Sequence, residues 1–203
     1  METLYYTLPN GLRIVHQGSM SEVAYIGIMI GAGTRDENKQ TNGMAHYIEH
    51  CVFKGTHSKS ASQIIRAIED IGGEINAYTT KEETTYYAAT PRRYFGRTLQ
   101  LLSDLVSNAT FPKKETEKEY GVILEEIESY NDSPSELIYD DFESILFDNY
   151  PIAMPILGTK RSLQQIQKHP ESVHEWLQQY YVPSNMVLFS QGNIAFDKVI
   201  HYA

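Results

Sequence analysis

Cysteine is nearly absent. Cys51 stands alone in 203 residues, so no disulfide can form within the chain; a reducing, cytoplasmic setting is expected, with export by a removed signal left open. No run of eighteen apolar residues occurs, and the opening METLYYTLPNGLRIV has no charged segment leading into an apolar one, so neither a membrane span nor a leader is read from it. Clusters of Lys and Arg are missing too. With 17 basic and 26 acidic residues the formal net charge is −9, which argues against nucleic acid, whose phosphates need a basic face, and is compatible with cationic peptides. Repeats, low-complexity tracts and linkers are lacking. The composition, 41% hydrophobic and 21% charged, fits one well-filled domain over 1–203.

What is present gathers in residues 42–54, NGMAHYIEHCVFK. His46, Glu49 and His50 stand at i, i+3 and i+4, so a single helix brings all three to one side. Two imidazoles one turn apart can both reach a Zn²⁺ at roughly 2.0–2.1 Å, with Glu49 beside the metal's open position. The pattern H-x-x-E-H is the inverzincin signature. It suits activation of a zinc-bound water, from which Glu49 takes a proton that it later passes to a leaving amine. Cys51 falls about 100° further round the helix and reads as a small core residue. His16, His57, His169, His174 and His201 have no partner at ligand spacing and read as surface or packing residues.

Two His and a water leave a tetrahedral zinc one ligand short. Residues 113–130, KKETEKEYGVILEEIESY, place Tyr120, Ile123, Ile127 and Tyr130 on one stripe of a helix. Glu119 and Glu126 fall within roughly 80° of that stripe's centre, whereas Glu125 points away. Glu115, Glu117, Glu125 and Glu128 suit a solvated acidic face. The inward pair does not, because a carboxylate turned toward a core needs a cation or donors.

In these features the chain resembles the pitrilysin, insulysin and mitochondrial processing peptidase family of zinc metallopeptidases. In that family a distant Glu ligand follows the motif, preceded by a second Glu; here Glu126 stands 76 positions after His50, and Glu119 seven before Glu126, matching the family's spacing. Further phrases match as well: GGEINAYT at 72–79 with the returning Thr85-Tyr86, LPNGLRI at 8–14, and GAGTR at 31–35. The resemblance implies that His46, His50 and Glu126 bind one Zn²⁺, that Glu49 is the general base, and that Glu119 supports the site by orienting a ligand His. It also places an extended substrate along an edge strand at 75–78, with Asn76 and Ala77 as contacts, although an Asn beside a Gly-Gly turn can equally be structural. Family members have a second, similar half that closes over the first and supplies substrate-binding residues. The partners implied are therefore a peptide or unfolded polypeptide and a missing C-terminal half or partner subunit.

Along the chain, Asn10-Gly11 between apolar runs predicts a hairpin over 3–17. The run VAYIGIMI at 23–30 reads as a strand buried on both faces. Thr41 or Asn42 is expected to cap the motif helix. A helix from a Ser60 cap to Ile71, strands over 74–79 and 84–89, and a helix opened by Thr90-Pro91 and running to Asn108 follow. After the glutamate helix, Ser133-Pro134 starts another whose apolar side carries Leu137, Ile138, Phe142, Ile145 and Leu146. A loop, two short helices, a strand over 185–191 and the start of a last helix complete the reading. The expected class is α+β, a mostly antiparallel sheet with several helices packed on one face.

The function expected is that of a zinc-dependent endopeptidase domain. A non-catalytic structural or interaction subunit of the same family, a zinc-binding half that needs its second half, and a regulatory zinc module are the alternatives.

Overall fold

The computed structural model describes residues 2–203. The Asn10-Gly11 turn joins β1 (Thr3–Thr7) to β2 (Arg13–Gly18), with Asn10 Oδ1 accepting from Leu12 N at 3.1 Å. β3 (Val23–Ile30) is followed by α1 (Met44–Val52) and α2 (Ala61–Glu69), then by the hairpin of β4 (Glu74–Thr79) and β5 (Thr84–Pro91). Five further helices follow: α3 (Phe95–Asn108), α4 (Lys113–Asn131), α5 (Pro134–Phe147), α6 (Lys160–Lys168) and α7 (Glu171–Tyr180). β6 (Met186–Gly192) and α8 (Phe196–Tyr202) end the chain.

The six strands form one sheet in the order β1-β2-β6-β3-β5-β4. Every neighbouring pair is antiparallel except β2 with β6, so the α+β reading holds. On the helix-covered face Ile26, Ile28, Tyr86, Ala88 and Leu188 are buried against Ile48 of α1 and Leu99, Leu102 and Leu105 of α3. Each such aliphatic side chain contributes roughly 1.5–3 kcal/mol relative to exposure. β4 is an outer strand, and α1 packs beside it.

Four expectations are corrected. β3 is buried on one face only, since Val23 and Tyr25 point to the side without helices and are 40% and 50% exposed; its unbroken apolar run hides an ordinary alternation. Thr90-Pro91 ends β5 instead of opening a helix. Pro91 pairs with Val23, and a 3₁₀ turn over Arg92–Tyr94 precedes α3; a fixed φ near −65° suits a strand end as well as a first helical turn. Neither Thr41 nor Asn42 caps α1, which starts on Gly43 at φ +87° with no side-chain cap. Finally, α5 turns its apolar side outward: Ile138, Phe142, Ile145 and Leu146 are all more than half exposed. Underneath, Lys81 of the β4–β5 turn pairs with Asp140 at 3.4 Å and Glu143 at 2.9 Å, so the acidic stripe of α5 is the one that faces inward.

Candidate metal centre

α1 lies over the hairpin end of the sheet, held from below by Met44, Ile48, Cys51 and Val52, all fully buried. That packing turns its polar stripe, His46, Glu49 and His50, toward α4. α4 in turn buries Ile123 and rests Tyr120 and Ile127 on the core, so the residues flanking that stripe, Glu119 and Glu126, reach α1. The result is a three-residue cluster. Glu126 Oε2 stands 3.6 Å from His46 Nε2 and 3.4 Å from His50 Nε2, and ligand atoms of the three residues lie within 4.8 Å of one another. Bonds of roughly 2.0–2.1 Å to a tetrahedral ion separate neighbouring ligand atoms by about 3.4 Å. The donor set fits zinc, and no other such group of His, Cys, Asp or Glu occurs among the described residues.

The electrostatics agree with the donor chemistry. Burial, with the neighbouring His50, lowers His46 to about 4, so its imidazole is neutral and available as a ligand near pH 7. Burial pulls His50 down as well, but its hydrogen bonds to Glu126 and Glu119 and the charges of Glu126 and Glu49 leave it raised. The hydrogen bond to His50 holds Glu126 below the ordinary carboxylate range, against its desolvation. Burial raises Glu49 above that range, opposed by a hydrogen bond from Thr79. Thr79 Oγ1 donates to Glu49 Oε2 at 2.5 Å.

Glu119 lies beside His50. Its Oε2 lies 3.2 Å from His50 Nδ1 and its Oε1 accepts from Lys54 Nζ at 2.7 Å. Thus Lys54, Glu119 and His50 form a relay ending at the cluster. Lys54 could have been found in the sequence, being one turn beyond His50. Thr79 could not, because its contact with Glu49 exists only once β4 is laid against α1. Of the two residues expected on the edge strand, Asn76 is exposed and Ala77 half-buried. The Asn76 Oδ1 accepts from Ala77 N at 2.8 Å, so Asn76 covers a donor of its own strand. Cys51 is fully buried, its thiol pushed up to about 12 by burial, and it takes no part in the cluster. His16 is buried between Ser190 Oγ at 2.8 Å and Ile194 O at 3.0 Å, a packing role.

Fold and cluster together define an α+β domain with a His-His-Glu centre suited to a divalent metal, and its neighbours among known proteins are consistent with that. The family model described as Insulinase (Peptidase family M16) matches residues 13–160, and the chain belongs to that family. It is 38% identical over 192 residues to the uncharacterized zinc protease YmxG of Bacillus subtilis, covering 94% of this chain and 46% of the relative. With the mitochondrial-processing peptidase subunit beta of Caenorhabditis elegans it shares 34% over 202 residues, covering 100% of this chain and 44% of the relative. A solved protease from Helicobacter pylori has the same fold, with a TM-score of 0.93 at 24% identity over 99% of this chain and 49% of that one. The chain thus spans about half the length of the relatives it matches.

Proposed function

We propose that this chain is the zinc-binding half of a metalloendopeptidase that hydrolyses peptide bonds in extended polypeptides. The observation that carries this is the convergence of His46, His50 and Glu126 from two helices beside a half-buried, hydrogen-bonded Glu49. These three residues hold one Zn²⁺, which when bound supplies a Lewis acid to acidify water and polarise a scissile carbonyl. Glu49 takes the proton of the attacking water and delivers it to the leaving amine; its raised affinity for protons suits both tasks. Thr79 fixes one oxygen of Glu49 and leaves the other for the proton. Glu119 orients His50. Relatives named zinc protease and mitochondrial-processing peptidase support the reading.

An extended substrate adds to the free edge of β4, main chain to main chain, and displaces the Asn76 side chain from Ala77 N. This makes Asn76 and Ala77 its first contacts. A second half or partner subunit completes the chamber. The half-length match and the uncovered apolar side of α5 support that requirement. The lone, buried Cys51 suits a reducing cytoplasmic setting.

Metal analysis combined with turnover of a fluorogenic peptide tests the proposal, with the chain alone and with its second half added. One zinc per chain is expected. Glu49→Gln should keep the metal and lose about 10²-fold or more of any turnover. Undiminished cleavage by that variant rules out the assigned base, and a chain that takes up no zinc overturns the whole reading.

A further inference from the structure

Glu37 is the one carboxylate buried among the described residues, 3% exposed, and it lies nine positions before His46. All the hydrogen bonds of its carboxylate go to residues 42–45, at the start of α1. Oε2 accepts from Gly43 N at 2.8 Å and Asn42 Nδ2 at 3.0 Å, while Oε1 accepts from Ala45 N at 2.9 Å. α1 has no side-chain cap of its own and no acidic residue in its first turn. Its leading N–H groups would otherwise be orphaned in a buried helix end. Glu37 therefore does from a preceding loop what a capping residue does locally. Burial pushes its carboxyl up to about 7 against the pull of these donors, an electrostatically unfavourable place that simple packing would fill with an apolar side chain.

The two histidines of the cluster are held differently. His50 Nδ1 faces Glu119, which Lys54 steadies. His46 Nδ1 is buried and has no hydrogen-bond partner, although a ligating imidazole ordinarily anchors its second nitrogen on a carboxylate or carbonyl. The orientation of His46 then rests on its packing, edge-on against His50 with ring centroids 4.6 Å apart, and on its backbone; Ala45, whose N–H is held by Glu37, is the residue before it. Asn42 extends the anchor: its Nδ2 also donates to Pro155 O at 2.9 Å. There Gly43 and Gly158 pass so closely that a Cβ on Gly43 would stand 2.9 Å from the Cα of Gly158.

We propose that Glu37 is a positioning residue for the metal centre, fixing the start of α1 and so the His46 imidazole in place of the hydrogen bond that His46 lacks. This rests on reading His46, His50 and Glu126 as a zinc site. The test uses the 203-residue chain, measuring zinc affinity by chelator competition and the visible absorption of the Co²⁺-substituted protein. Glu37→Gln keeps the size but sets an amide donor against the N–H groups of α1. Its zinc affinity should fall about 10- to 100-fold, with loss of the intense absorption of four-coordinate Co²⁺. Asn42→Ala, which keeps the carboxylate and removes one donor and the link to Pro155, should lose about threefold. Val199→Ala, a core substitution in the remote α8, serves as a stability control and should leave both readouts unchanged despite a lower Tm.

Zinc affinities within twofold of the unsubstituted chain for both Glu37→Gln and Asn42→Ala would overturn the proposal, as would an equal loss in Val199→Ala. If Glu37→Gln does not fold, Asn42→Ala decides alone. An unsubstituted chain that binds no zinc sinks the hydrolytic reading itself, an outcome distinct from equal binding by the chain and its variants.

Discussion

α1 and α5 are both rich in apolar residues, yet seven of the nine residues of α1 are buried and none of the fourteen of α5 is. α1 is packed from below by the core, capped from a distance by Glu37 and crossed by α4, so its histidines stand in fixed positions. α5 rests on a narrow stripe of Leu137, Asp140, Glu143 and Phe147 and is tied down by Lys81. The difference shows where this domain concentrates its packing. The helix that carries the candidate ligands is buried over most of its length, as a precisely held site requires, whereas a contiguous apolar face left in solvent belongs to surfaces that meet something else.

The contrast can be broken at several points. Ile48→Ala, in the middle of α1 and fully buried, should cost about 2–5 kcal/mol in urea unfolding; a loss under 1 kcal/mol would mean that α1 is not the rigid element. Glu119→Gln should weaken zinc about 10- to 100-fold with little change in the Tm of the metal-free chain, and a large fall in that Tm would show the relay to be structural instead. Lys81→Met leaves Asp140 and Glu143 facing an apolar side chain and should cost about 1–2 kcal/mol after allowing for their partial exposure. If α5 stays docked at no cost, as judged by protease resistance of its peptide bonds, the charged stripe is not what holds it. Smallest of all, Ile145→Ser on the 81% exposed side of α5 should stay within about 0.5 kcal/mol in the isolated chain, and a larger loss would show this face to be covered in solution.

Much of the centre was legible because it is local. His46, Glu49 and His50 share one helical face by spacing alone, and the stripe of Tyr120, Ile123 and Ile127 by itself turns Glu119 and Glu126 inward. The hairpin at Asn10-Gly11 and the pair β4 and β5 were likewise written in turn chemistry and β-branched content. What escaped has a common cause. Thr79 and Lys81 act on residues 30 and 59 positions away, and Glu37 reaches α1 across an irregular loop; periodicity carries no information about such partners. β3 misled because an unbroken apolar run fits one covered face as well as two, and Pro91 because proline's fixed φ serves a strand end and a helix start alike.

The order of residues determined the chemistry on offer: two imidazoles and a carboxylate at helical spacing, a second helix with two inward acids, and too little cysteine for any disulfide. Tertiary structure decided which of those groups meet, because the angle at which α4 crosses α1 is set by the shape of a shared core, and no short stretch of chain contains that shape. It decided equally that α5 shows its apolar side to water while its acidic stripe meets a lysine on a turn 59 residues before Asp140, a pairing that the pattern of the helix itself does not contain.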